Sequence, residues 1–194
     1  MVCLDEKPVS LHAEVRPPQP ARPGHMAKRD NEYERRGTAN IFGIVEPKAG
    51  RHFTCATPNR SAAAFAQRIH TVVTAYSGTS TIHLVLDNLD IHCEKSLTDY
   101  SGKRSGRRPW RRLSVHYTPT HGSWLNQAEI ELSLVARRCL GSQRMPTLRQ
   151  LRAQTGARNR RATRRQTRIN WRSTRKGARR KFAYISNLSK RSET

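Results

Sequence analysis

Acidic residues are scarce in this chain. Its 194 residues include 14 Asp and Glu against 37 Lys and Arg, a formal net charge of +23 at pH 7. Small-molecule chemistry needs no such excess. A polyanion does, and nucleic acid is the first candidate. The shortage is uneven: residues 142–194 carry 17 basic residues and one acid, Glu193, whereas residues 1–141 carry 20 and 13. Long apolar runs are also missing. None approaches the roughly 18 residues of a spanning helix, and no signal-peptide pattern opens the chain, so no membrane partner is expected. Cysteine is sparse, and Cys3, Cys55, Cys93 and Cys139 form no C-x-x-C pair. That argues against a structural zinc site, and scattered free thiols suit a reducing cytoplasm. The histidines show no metal-ligand spacing with any cysteine, and there are no internal repeats.

What is present reads as a mixed α/β chain. Met1–Asp5 is an apolar run ending in an acid, at the short limit for a strand. Residues 7–37, rich in Pro and Arg, read as a long surface excursion with little regular structure. Gly37–Val45 and Arg51–Ala56 read as two strands joined by a turn over residues 47–50. Asn59 or Ser61 caps a helix running to about Tyr76. Thr81–Asp87 is the strongest strand, nearly continuous in apolar residues as if buried on both faces, and it too ends in an aspartate. A short, poor helix follows within Asp90–Tyr100, then a Gly/Lys/Arg loop over Ser101–Arg112, then a strand at Leu113–Tyr117. The charge asymmetry divides the chain into a catalytic-size domain over 1–141 and a basic, helical to partly disordered extension over 142–194. In that extension a helix begins near Pro146, is interrupted by Gly156, and leaves only Ile169, Trp171, Phe182, Tyr184 and Ile185 as apolar anchors.

The stretch His116–Leu140 is the most informative. Pro119 and Gly122 make a turn, Ser123 is a good N-cap and Gly141 a good C-terminal stop, with no proline between them. Leu125, Ala128, Leu132, Val135 and Cys139 recur at the spacing of one helical face, with Ile130 and Leu134 on a second. Asn126, Glu129 and Ser133 form a polar strip between the two. Glu131 points the other way, beside Gln127 and Arg138, on what reads as an exposed face. A glutamate held between apolar faces is either paired to a cation or bound to a metal, because an unpaired buried carboxylate is costly.

Two strands thus end in Asp5 and Asp87, and the helix carries Glu129 in a polar slot. Ligands gather near strand ends in such sheets. Three carboxylates converging there would repel one another unless a cation sat between them. Hard oxygen donors select Mg2+ or Mn2+, and a pair of such ions about 4 Å apart supports in-line phosphoryl transfer.

Three blocks carry a family resemblance: CLDEKP at 3–8, LVLDN with His92 at 84–92, and HYTPTHGSWLNQAEIELS at 116–133. Weaker matches run through residues 37–42, Trp171 and residues 178–182. On these the chain resembles the catalytic domain of bacterial insertion-sequence transposases of the mariner superfamily, the DDE transposases with a ribonuclease-H-like fold. The resemblance implies a mixed sheet flanked by helices, with Asp5, Asp87 and Glu129 as a triad holding two Mg2+ or Mn2+ ions. Asn88, His92 and Asn126 belong to the same motifs. It implies DNA, as transposon ends and target, for a partner, a homodimer on that DNA, and a cytoplasmic, nucleoid-associated location. Such transposases usually carry N-terminal helix-turn-helix modules, for which there is no room before Asp5, so the expectation is a truncated transposase. The alternative reading is a catalytically inactive, basic DNA-binding remnant. Candidate phosphate contacts are Arg104, Arg107, Arg108, Arg111 and Arg112 in the 101–112 segment and Arg160, Arg161, Arg164, Arg165 and Arg168 in the tail.

Overall fold

The computed structural model of the chain describes residues 1–119, 122–172, 174, 176, 177 and 180. Phe182, Tyr184, Ile185 and most of the 178–182 match lie outside the described residues. The elements follow in the order β1 (Val2–Glu14), β2 (Tyr33–Glu46), β3 (Arg51–His52), β4 (Cys55–Thr57), α1 (Ala62–Ala75), β5 (Ile82–Leu86), α2 (Glu94–Ser101), α3 (Lys103–Trp110), β6 (Leu113–Tyr117), α4 (Ala128–Leu134) and α5 (Leu148–Arg164). They build one six-stranded mixed sheet, ordered β3–β2–β1–β5–β6, with β4 also on β2. β1 runs antiparallel to β2 and parallel to β5, and β5 runs parallel to β6. With helices on both faces, this is a ribonuclease-H-like α/β fold.

Side chains alternate across β1, so its two faces meet different layers. Val2 and Leu4 join Phe42, Ile44, Phe65, Ile69, Leu84 and Leu97 in a core beneath α1 and α2. Cys3 faces the opposite layer, with Val45 and Ala128. Farther along that second layer, Leu11, Ile41, Leu132, Val135 and Leu151 pack β1 and β2 against α4 and α5.

The first strand is much longer than its opening apolar run suggested. β1 continues to Glu14 and pairs with β2 from Cys3↔Val45 out to Glu14↔Tyr33. Much of the expected loop is therefore a two-stranded arm. β5 pairs with β1 only at Val2 and Cys3, so the distal part of β1 has one neighbour. A strand with an open edge tolerates a proline such as Pro8. Arg144 holds the neck of this arm through Glu14 and the carbonyls of Asp30, Asn31 and Glu32, with its guanidinium over the Tyr33 ring.

Three further expectations change. The 101–112 segment is not a loop: it holds α3, which follows Gly102 and packs closely on α2 because Gly106 has no Cβ. A methyl there would lie 2.5 Å from the Leu97 carbonyl. β5 is covered on one face, with His83 exposed and Val85 half-buried. Gly156 does not interrupt the last helix, since α5 runs through it from an N-cap at Thr147.

The stretch expected as one helix from Ser123 to Leu140 is broken twice. A 3-10 turn spans Ser123–Leu125, α4 begins at Ala128, and Val135–Leu140 is π-helical. The π-turn spends an extra residue per turn. Burial consequently moves from the expected Cys139 to Leu140, and Leu125 is exposed.

Candidate active site

β1 and β5 stop pairing after Cys3 and Val85, and their acids follow at once. Asp5 lies on β1 beyond the split, and Asp87 follows the last residue of β5. α4 crosses the sheet above them. Its Leu132 sits directly over Gly43, where a Cβ would come within 2.6 Å of Leu132 Cγ. Gly43 is the register partner of Asp5. The missing side chain therefore allows the close approach that brings α4 down beside the acid. Asn126 secures the start of the same helix. Fully buried, it donates from Nδ2 to the Leu4 carbonyl at 2.7 Å and accepts from the Ala128 N–H at 3.1 Å.

As a result Asp5, Asp87 and Glu129, separated by up to 124 positions in sequence, line one cleft of about 400 Å³ together with Glu6, Lys7, Ser133 and Arg137. Asp5 is 9% exposed. Burial, then the negative charges of Asp87, Glu6 and Glu129, push its carboxyl up to about 7, although the Glu6 N–H donates to it. A carboxyl raised first by burial and then by adjacent acids is the kind of perturbed group that functional clefts concentrate.

His92 lies beneath this cleft, fully buried against Phe65. Its Nε2 is 2.8 Å from Glu6 Oε1, and its Nδ1 donates to the Asp87 main-chain carbonyl at 3.0 Å. Asp87 Oδ1 lies 2.7 Å from the same Nδ1 but out of line for a hydrogen bond. Burial alone would lower the imidazole's pKa. The two carboxylates and the carbonyl overcome that and push it up to about 10. Glu6, Asp87 and His92 are close enough together to suggest a metal group. Both ring nitrogens already face protein oxygens, Nδ1 the Asp87 carbonyl and Nε2 the Glu6 carboxylate, so in this arrangement the trio acts as a clamp that ties Asp87 to β1. The oxygen donors Asp5, Asp87 and Glu129 fit a hard divalent cation better.

Glu131 corrects the helical-wheel reading. It is 1% exposed, not on an open face. Its carboxylate accepts from both terminal nitrogens of Arg158, at 2.8 Å for the Nη2–Oε2 contact, and from Thr54 Oγ1 at 3.1 Å, with His52 Nδ1 3.0 Å away. Burial would raise its pKa, but His52 and Arg158 hold it below the ordinary carboxylate range.

The candidate arginines separate similarly. Arg104, Arg107, Arg108 and Arg111 cluster with Lys103 on the outer side of α3. Among the described residues only Arg107 of these four has an acidic partner, Glu94 at 3.2 Å. Arg112 instead donates to the carbonyls of Val73, Tyr76 and Thr79 and closes the end of α1. Arg160, Arg161, Arg164, Arg165 and Arg168 are exposed along α5 and just beyond it. Asn88 is exposed beside Asp87.

Residues 1–152 match the family described as DDE superfamily endonuclease. The chain belongs to that family. Nuclease domains of this superfamily generally use divalent metal ions, and an endonuclease-type domain implies DNA as its substrate. Comparison with curated proteins and with solved structures found no match. No helix among the described residues is long and apolar enough to cross a membrane.

Three members of the cleft were missed in the sequence. Lys7 shares the Asp5 face by the two-residue period of a strand, a signal hidden when the strand is ended at Asp5. Glu6, next to Asp5, turns to the other face and meets His92. Arg137 lies eight residues after Glu129, about two helical turns on, and reaches the cleft from the π-helical segment.

Proposed function

We propose that this DDE endonuclease domain is the catalytic part of a mariner-superfamily insertion-sequence transposase, which cuts phosphodiester bonds at transposon ends and joins the freed 3′-hydroxyl to target DNA. The observation that carries the reading is the convergence of Asp5, Asp87 and Glu129, from three separate elements, on one cleft. Asp5, Asp87 and Glu129 would hold two Mg2+ or Mn2+ ions. When bound, such ions activate an attacking water or hydroxyl and neutralise charge at the phosphate. His92 fixes the loop carrying Asp87 through its carbonyl and ties it to Glu6. Asn126 and Gly43 set the height of α4 over the sheet. Lys7 and Arg137 offer cations at the cleft rim for the phosphates flanking the cut. The arginines of α3 and α5 extend the phosphate contacts. On this reading the protein works on DNA at the nucleoid.

The test is nicking of supercoiled DNA and strand joining from pre-cut 3′-hydroxyl ends, with Mg2+ or Mn2+ against EDTA. Glu129→Gln keeps side-chain size and removes the charge, so it is expected to abolish both reactions and leave salt-sensitive DNA binding intact. Full nicking by Glu129→Gln would overturn the assignment. Tight DNA binding by the unaltered chain with no cleavage in either metal is the outcome of the inactive-remnant reading.

A further inference from the structure

The cleft glutamate sits on a helix whose rotation is weakly determined by the helix itself. α4 has only seven residues, is held at its start by Asn126 and not by its N-cap Gln127, and passes at its other end into a π-helical segment. Glu129 and Glu131 are both on it. Two residues is about 200° of helical rotation, so the carboxylates point to nearly opposite sides. Glu129 lines the cleft. Glu131 is buried where α4, α5 and the β3–β4 edge meet, held by Arg158 and Thr54. α5 is itself fastened to that edge: Asn159 Nδ2 donates to the Thr54 carbonyl, Arg152 Nε to the Ala56 carbonyl at 3.1 Å, and Thr163 Oγ1 accepts from the His52 N–H at 3.3 Å.

We infer that Arg158, on the basic C-terminal helix, is a positioning residue for Glu129: by holding Glu131 inside, it sets the rotation of α4 and so aims Glu129 into the cleft. Among the described residues Arg158 is the only permanently charged partner of Glu131, since Thr54 is neutral and His52 carries charge only when protonated. An unpaired buried carboxylate is strongly unfavourable. The short helix can relieve it by rolling Glu131 toward water, and the same roll swings Glu129 away from Asp5 and Asp87. The helix that looks like a DNA-binding tail is thereby part of the catalytic unit, acting through Glu131 and not by touching the reacting phosphate. The inference deepens the proposed function and rests on its assignment of Glu129.

The test compares Arg158→Met with the double variant Glu131→Leu/Arg158→Met. Two readouts are used: the melting-temperature rise caused by Mn2+, and the Mn2+ concentration for half-maximal nicking of supercoiled DNA. Arg158→Met leaves Glu131 with Thr54 and His52 but without its permanent cation. It should lose most of the Mn2+-induced rise and need at least tenfold more Mn2+. The double variant removes the charge that seeks water, so it should recover both readouts to within about threefold of the unaltered chain. This recovery is what neither a DNA-contacting nor a purely structural Arg158 would show. Unchanged Mn2+ responses in Arg158→Met overturn the inference. So does a double variant as deficient as the single one. If Arg158→Met does not fold, the double variant decides alone: near-normal Mn2+ responses support the clamp, and lost responses in a folded protein overturn it. Absence of any Mn2+ response in the unaltered chain strikes the proposed function itself, whereas a responsive parent with unresponsive predictions strikes only the role of Arg158.

Discussion

Glu129 and Glu131 stand two residues apart on one short helix in opposite electrostatic settings. Glu131 is closed off from water and answered by Arg158 and Thr54. Glu129 shares a cleft with Asp5 and Asp87; with Glu6 answered by His92, three carboxylates there face the two cations Lys7 and Arg137. One carboxylate completes the fold. The other belongs to a group whose charge the described residues leave incompletely balanced, and that deficit is what a divalent cation would fill. Identical side chains are told apart by whether the protein supplies the counter-charge.

The largest expected contrast comes from truncating each glutamate. Glu131→Ala leaves the half-buried Arg158 without its carboxylate and should cost up to about 3–5 kcal/mol. Glu129→Ala should be close to neutral in metal-free protein. Urea unfolding of both variants in EDTA measures the difference, and equal losses would erase the distinction drawn between the two sites.

A pH series sharpens it next. The Asp5 carboxyl is raised in the folded state to about 7, so its protonated form favours folding. The associated stability is fully present below the unfolded value near 4 and is lost as pH rises through about 7. The metal-free protein should therefore weaken across that window by up to a few kcal/mol, and Asp5→Asn should flatten the slope. His92, raised to about 10, adds a separate loss from the ordinary histidine range upward. An unchanged slope between pH 4 and 7 in Asp5→Asn would mean that Asp5 is raised neither by its burial nor by the acids beside it.

The packing that brings the two glutamates to their places can be disturbed at Gly43. Gly43→Val must displace Leu132 and should cost about 1–3 kcal/mol, with loss of the Mn2+-induced melting rise. A smaller comparison sets Arg111 beside Arg112. Arg111→Gln should lower the magnitude of the log–log salt slope of DNA binding by about 0.9 if it neutralises one phosphate, with little change in stability. Arg112→Gln should leave that slope alone and destabilise the end of α1, read in the same melting experiment.

Much of this architecture was legible locally. The apolar run of Thr81–Asp87, the short strand at Leu113–Tyr117, Ser61 before an apolar-faced segment, and the turn at residues 47–50 all gave elements close to those observed, although β5 is covered on one face and not two. Asp5, Asp87 and Glu129 were picked out because each ends or rides on a recognisable element. Where local reading failed, a distant partner had intervened. β1 outran its apolar run because β2 pairs with it along the arm. α3 formed from a Gly/Arg-rich segment because Gly106 fits against Leu97. The helical wheel put Glu131 in solvent because nothing in residues 116–141 announces that Arg158 will pack against it.

By itself the sequence determined a charge excess suited to a polyanion partner, and most but not all of the strands and helices, through periodicities that act over a few residues. Tertiary structure decided the rest. It determined which of two neighbouring glutamates is paired and which is left facing other acids, and it turned Arg112 into a helix-end clasp beside an exposed Arg111. The reason is that a charged group's role depends on the counter-charges and water around it, and those are assembled by chain segments that are neighbours only after folding.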